Sequence, residues 1–393
     1  TALDALLRAV ECGWQGMLMA PTETLATQHM ASVERLLDGI PVPFALLTGS
    51  TPAAQRRQTL DRLAAGELSL LIGTHALLEP DVVAPRLALC VVDEQHRFGV
   101  RQRERLALAR GDGGAVPHML HMTATPIPRT LALAAYGDVD TSALRDLPAG
   151  RTPVATHVVA GEAARKRAYE RIREEVAAGG RAFVVCPLVE ESEALEAKAA
   201  TDERDRLAAG PLAGLELELL HGRMSPAEKA DAMDRFAKGD CEVLVATTVI
   251  EVGIDVPEAT VILVEDAERF GLAQLHQLRG RVGRGEKPGL CLLVGRPDAR
   301  RLEAMTSTTD GFELAELDLE LRGEGELVGV RQSGLPSFRA ARLPADLDLL
   351  ERAHSAAMRI VDADPVFADP EHALLADALE RRSAGMPDER LAA

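Results

Sequence analysis

Short, uninterrupted apolar runs, each closed by a turn and followed by an amphipathic stretch, recur in two series along this chain. The first series is Met17–Ala20, Phe44–Leu47, Ser69–Ile72, Leu87–Val92 and His118–Met122. The second is Val154–Val159, Ala182–Cys186, Leu215–Leu220, Val243–Val245, Val261–Val264 and Leu290–Val294. A strand with one wet face alternates polar and apolar residues, whereas a strand that is apolar throughout is covered on both faces, as parallel strands flanked by crossover helices are. The pattern predicts an α/β fold of two tandem parallel-sheet lobes. Aromatic residues make up only 3% of the chain, too few for the usual all-β sandwich. The Pro/Gly-rich segment Leu147-Pro-Ala-Gly-Arg-Thr-Pro153 separates the series. Three regions are therefore predicted: 1–146, 151–296, and a helical 297–393 with a Gly-rich insert at 323–334.

The net charge of −17 excludes a protein that holds nucleic acid by bulk positive charge, so any such site must be local. From residue 301 onward there are 10 basic and 19 acidic residues, leaving the two lobes nearer balance. Cys12, Cys90, Cys186, Cys241 and Cys291 form no CxxC pair and mostly sit in apolar runs, as reduced buried thiols do. No apolar run approaches the length of a membrane span, and the expected compartment is the cytoplasm. The chain opens on the helical pattern Ala-Leu-Asp-Ala-Leu-Leu-Arg-Ala-Val without an initiating Met, as expected for part of a longer protein.

Two segments carry chemistry. Asp93 and Glu94 emerge from the apolar strand Leu87–Val92 at its C-terminal end, where open α/β sheets place their ligands. One carboxylate can hold Mg²⁺ while its neighbour accepts a proton from water attacking a γ-phosphate. The plainer alternative is a strand-end Asp that caps the next helix. In the second lobe, Gln277-Leu-Arg-Gly-Arg-Val-Gly-Arg284 places Arg281 and Arg284 three residues apart, expected on one helical face, with glycines that admit a ligand close to the backbone. Guanidinium groups so placed suit a phosphate clamp that stabilises charge on a transferred phosphoryl group; a solvated basic helix is the alternative.

With their neighbours, these segments resemble superfamily 2 helicases. The resemblance runs through Ala20-Pro-Thr-Glu23, Thr48-Gly49, Gly73-Thr-His75, Asp93-Glu-Gln-His96, Thr123-Ala-Thr125 and the second-lobe motifs. The wording MAPTETLATQH, DEQHRFGVRQR, MTATPIPRTLALAAYGDVD, ATTVIEVGIDVPEAT and QLHQLRGRVGRG is similar to the RecG family in particular.

That resemblance implies two RecA-like lobes followed by a mainly helical region, with ATP and Mg²⁺ as cofactors. Asp93 would hold Mg²⁺, Glu94 would be the catalytic base, and His96 would relay nucleotide state. Arg281 and Arg284 would be finger arginines, with Gln277, Gly253 and Asp255 near the nucleotide. Thr22, Thr48, Gly49, Thr74 and His75, with Thr247 and Thr248, would touch the DNA backbone. Each such threonine could equally serve as a cap or turn residue. Thr123 and Thr125 would couple hydrolysis to lobe movement, and Arg301, Arg322 and Gln332 would link the helical tail to the motor. The implied partners are branched duplex DNA, that is forks and Holliday junctions, and a single-strand DNA-binding protein, for a monomer near the nucleoid with no membrane association.

Three features depart from the family pattern. The phosphate loop GxxxxGK[ST] and the amino-terminal wedge domain are absent from this sequence, read as truncation, and Glu324 stands where the family usually has proline. The alternatives are a motor like the transcription-repair coupling factor and a catalytically inactive DNA-binding module.

Overall fold

The computed structural model describes residues 2–94, 116–124, 141–144, 152–187, 193–248, 256–326 and 346–383. The first sheet contains strands β1 (Gln15–Met19), β2 (Phe44–Leu47), β3 (Leu70–Gly73), β4 (Leu87–Val92) and β5 (His118–His121), all parallel, in the order β2-β3-β1-β4-β5. Helix α1 (Ala2–Glu11) leads into β1, and helices α2 (Glu23–Leu36) and α3 (Ala53–Ala64) supply the crossovers from β1 to β2 and from β2 to β3. Every residue of β1 and β3 is buried, as their unbroken apolar reading requires.

The sheet has apolar packing on both faces. Met17, Met19, Leu47, Leu71 and Val92 belong to one cluster, and Leu6, Leu18, Val33, Ile72 and Val91 to the other. Alternate residues of one strand thus feed opposite cores. Each fully buried Leu or Ile contributes roughly 1.5–3 kcal/mol, so neither face is dispensable. The polar exception is Gln15, only 2% exposed. Its amide donates to the carbonyls of Leu63 and Leu68, both at 2.9 Å, while its Oε1 accepts from Arg86 N at 3.0 Å. Full satisfaction is what makes a buried amide tolerable there.

The second sheet contains β6 (Ala155–Val159), β7 (Arg181–Val185), β8 (Leu217–Leu220), β9 (Val243–Ala246), β10 (Ala259–Val264) and β11 (Leu290–Val294). They are also parallel, in the order β6-β11-β10-β7-β9-β8. Read from its other edge, this order repeats the first sheet: β8-β9-β7-β10-β11 corresponds to β2-β3-β1-β4-β5, and β6 extends the series by one strand. Helices α4 (Gly161–Ala177), α5 (Glu193–Ala209), α6 (Pro226–Lys238) and α7 (Leu272–Arg279) accompany it. Local chemistry starts and stops α6 cleanly: Ser225 and Glu228 form a reciprocal capping box, Pro226 occupies the first turn, and Gly239 ends the helix with left-handed backbone. Phe183 and Phe236, both fully buried, pack with ring centroids 4.8 Å apart between β7 and α6.

Helices α8 (Arg300–Ser307), α9 (Gly311–Glu326), α10 (Leu347–Ala363) and α11 (Ala373–Ser383) make up the described part of the tail, so the fold is two RecA-like parallel-sheet lobes and a mainly helical C-terminal region, as expected. The chain groups into two units, the first containing both sheets and running to Leu314, the second taking residues from Ala315 onward. α9 continues through Gly323 and Gly325, so the Gly-rich insert begins as helix. Two glycines cost roughly 1 kcal/mol each relative to alanine, which the good helix formers Leu and Glu around them offset. Among the described residues, no helix is long and apolar enough to cross a membrane.

Candidate nucleotide and DNA site

In the first lobe the candidate residues cluster at the C-terminal ends of the parallel strands. Thr22 caps α2, its Oγ1 accepting from Leu25 N at 3.3 Å. The next residue, Glu23, reaches the loop after β2: Oε1 accepts from Ser50 N at 2.9 Å and Oε2 from Ser50 Oγ at 2.7 Å. Thr48, 6% exposed, lies 3.1 Å from Ser50 Oγ through its own hydroxyl, and its N–H donates to Thr51 Oγ1 at 2.9 Å. Thr22, Thr48 and Gly49 are therefore brought together, with Glu23 as the clasp. Sequence reasoning quoted Glu23 within a motif but gave it no role.

Behind them, Gly73 passes so near β2 that a Cβ would sit 2.1 Å from the Leu47 carbonyl oxygen, so only glycine fits. Thr74 N–H donates to the Leu47 carbonyl at 3.3 Å, so Thr74 follows the strand end next to the one that carries Thr48, with the exposed His75 after it. The Thr74 side chain is 1% exposed and its hydroxyl has no hydrogen-bond partner among the described residues. Thr247 repeats this at the corresponding strand end of the second lobe, where it too is 1% exposed with a buried, unpartnered hydroxyl. At both loops the accessible side chain is that of the following residue, His75 or Thr248.

Asp93 extends β4 by one rung, its N–H donating to the Met19 carbonyl at 2.9 Å. Oδ1 accepts from Glu94 N at 3.0 Å, and Oδ2 lies 2.8 Å from Nε2 of His29 on α2. Glu94 has left-handed backbone, φ 50°, which costs an L-residue about 1–2 kcal/mol. Hard carboxylate oxygens at a strand terminus suit Mg²⁺, which takes one or two carboxylates and otherwise keeps water and phosphate oxygens. No group of three His, Cys, Asp or Glu side chains that could hold a metal ion occurs among the described residues. Thr123 lies half-buried just beyond β5. His96, Thr125, Gly253, Asp255 and Gln332 fall outside the described residues, and of Arg322 only its place in α9 is described.

In the second lobe the expected helical pairing of Arg281 and Arg284 is corrected. α7 ends at Arg279, and Gly283 takes φ +67°, with a built Cβ only 3.0 Å from Gly289 N. A helix cannot continue through left-handed backbone, so the two arginines project from a turn. Arg281 is 8% exposed, while Arg284 is exposed and its Nε donates to the Gly280 carbonyl at 2.9 Å. Gln277 sits half-buried on α7, and Arg301 half-buried on α8. A third arginine went unnoticed in the sequence: Arg279, 4% exposed, donates through Nη1 to the carbonyls of Met305 (3.0 Å) and Thr308 (2.9 Å). Burial pulls its pKa below the ordinary arginine value.

At the end of β10, Glu265 and Asp266 occupy the place that Asp93 and Glu94 occupy at the end of β4, and Asp266 is likewise left-handed at φ 45°. Here the first carboxylate is built into the protein. Glu265 accepts from Arg165 Nη2 and Tyr169 OH, both at 2.8 Å, and Arg206 Nη2 donates to Tyr169 OH at 2.7 Å. Desolvation is the largest influence on Glu265 and raises its pKa despite the Arg165 partner.

Three helicase family descriptions match in sequence order: DEAD/DEAH box helicase over residues 1–133, helicase conserved C-terminal domain over 166–286, and "ATP-dependent DNA helicase RecG, domain 3, C-terminal" over 308–384. The fold is also that of a DNA-bound MrfA helicase structure, TM-score 0.59 at 16% identity over 88% of this chain and 52% of that one. Two RecA-like lobes with strand-end carboxylates and an arginine-bearing turn thus define a superfamily 2 helicase motor. Similarity narrows this further. The ATP-dependent DNA helicase RecG of Synechocystis sp. is 50% identical over 92% of this chain and 43% of its own length, and that of Bacillus subtilis 43% identical over 99% and 57%. A structure of RecG bound to a three-way DNA junction superposes with TM-score 0.72 at 42% identity, covering 89% of this chain and 45% of that one. The chain belongs to the RecG-type helicases, and it spans about half the length of the curated relatives it matches.

Proposed function

We propose that this chain is the motor of an ATP-dependent double-stranded DNA translocase that unwinds and branch-migrates stalled forks and Holliday junctions in repair and recombination. The observation that carries this reading is the 42% identity, over 89% of the chain, to a RecG solved on a three-way junction. The match of the tail to RecG domain 3 supports the same reading over a coupling factor acting on transcription.

In this reading residues 1–146 and 151–296 are the two motor lobes and 297–393 the translocation tail. Asp93 would hold Mg²⁺, which when bound would supply charge neutralisation at the ATP phosphates. Glu94 takes the proton of the attacking water, and Arg281 and Arg284 stabilise developing charge on the phosphoryl oxygens. Gln277, Gly253, Asp255 and His96 line the nucleotide. Thr22, Thr48, Gly49, Thr74, His75, Thr247 and Thr248 contact the phosphate backbone without reading sequence. Thr123, Thr125, Arg301, Arg322 and Gln332 couple lobe closure to movement. The protein works as a monomer in the bacterial cytoplasm, at the nucleoid, where single-strand DNA-binding protein is a natural neighbour at forks.

The test is hydrolysis and junction processing by the intact gene product. ATPase stimulated by a synthetic Holliday junction, with ATP-dependent conversion of that junction to duplex products, is expected. An intact protein that binds the junction but neither hydrolyses ATP nor moves the branch point would make this a DNA clamp instead.

A further inference from the structure

Helix α2 is anchored at two places that the proposed function treats as separate. At its first turn, Thr22 caps it and Glu23 holds Ser50, so the helix start is fixed to the loop carrying Thr48 and Gly49. Six residues further on, His29 meets Asp93 at 2.8 Å, with the two side chains 28% and 20% exposed. An ionised carboxylate only accepts, so His29 donates its Nε2–H. Because Asp93 Oδ1 takes Glu94 N, both carboxylate oxygens are held, one from the backbone of β4's own end and one from α2. The carboxylate plane is then set by the position of α2. Six residues of α-helix span about 9 Å and behave as a rigid rod, so a shift at the capped end is delivered to His29.

We propose that His29 is a positioning residue that transmits DNA contact at the Thr22 and Thr48–Ser50 loops, through α2, to the carboxylate that holds Mg²⁺. It does so by fixing Asp93 Oδ2, and without it that carboxylate keeps only the Glu94 N–H and no longer follows α2. This inference rests on the proposed function, since it needs DNA at the first turn of the helix and Mg²⁺-nucleotide beside its middle.

Equilibrium coupling tests it without recourse to turnover. In the intact gene product, the affinity for a fluorescent ADP in the presence of Mg²⁺ is measured with and without a synthetic three-way junction, and the ratio of the two dissociation constants is the coupling factor. Couplings between two sites typically amount to about 5–150-fold, a range wide enough to read. In the His29→Ala variant the factor is expected to fall to within about twofold of unity. In His29→Gln, whose amide N–H reaches the same oxygen, it is expected to recover most of the wild-type ratio. His29→Asn, too short to reach, repeats the loss and serves as the deletion if the alanine variant does not fold. A wild-type coupling factor that persists in His29→Ala or His29→Asn overturns this inference alone. So does a glutamine variant that folds normally yet stays uncoupled. A wild-type protein that binds neither junction nor nucleotide overturns the proposed function as well.

Discussion

The Arg279 guanidinium rests 2.9 Å from the carbonyl oxygen of Thr308, and the same nitrogen reaches Met305 O at 3.0 Å. These carbonyls lie at the C-terminal end of α8, which carries partial negative charge, so a buried cation is satisfied there by backbone dipoles. Truncating it exposes those carbonyls to an apolar void. Arg279→Ala is therefore expected to destabilise the lobe by about 2–4 kcal/mol, read as a lowered urea midpoint. A loss below 0.5 kcal/mol, about the size of a neutral surface change, would show that water replaces the guanidinium freely.

Glu94 is the base in the proposed reaction, and glutamine keeps its shape while losing that ability. In the intact protein, Glu94→Gln should retain nucleotide binding while turnover falls by about 10²–10⁴-fold. Arg284→Ala should lower kcat more than nucleotide affinity, because its charge acts mainly as the transition state forms. Near-normal single-turnover hydrolysis by either variant would assign the role elsewhere.

The raised pKa of Glu265 has a signed consequence for stability. A carboxyl that binds its proton more tightly folded than unfolded favours the folded state below its ordinary pKa of 4.5, and that contribution is lost as pH rises through the raised value. Glu265→Gln cannot titrate. The unfolding free energy of the wild type minus that of the variant should therefore decline as pH rises from about 4.5 toward neutrality. A difference that grows with pH over that window would mean that the Arg165 ion pair outweighs desolvation.

Thiol reactivity should separate the cysteines sharply. Burial lifts Cys90, Cys186 and Cys291 to about 12 and Cys241 to about 11, whereas Cys12 is exposed at the end of α1. A thiolate-directed reagent at neutral pH should modify Cys12 alone in the native chain and all five in denaturant. Rapid native modification of two or more would show that a core opens readily.

The parallel lobes were legible because their strands are buried on both faces: Leu87–Val92 and Leu290–Val294 appear within the bounds their apolar runs mark. What sequence could not supply was the partner of each polar residue. His29 and Asp93 are 64 positions apart and meet only through the β1–β4 pairing. Arg279 looked like its two neighbours in the same motif, and nothing local marks it as the one that turns inward. The arginine turn was misread as helix because Gly283 carries the break, and a glycine alone does not announce the sign of its φ.

The left-handed kink at Glu94 invites a catalytic explanation, yet Asp266 carries the same kink at φ 45° in a lobe whose carboxylate is already spent on Arg165 and Tyr169. The molecule thereby contains its own control. One strand-end geometry is present whether the preceding carboxylate meets His29 or the Arg165 and Tyr169 pair, so the strained backbone belongs to how each sheet hands a strand to the next loop. What distinguishes the two copies is the company their side chains keep.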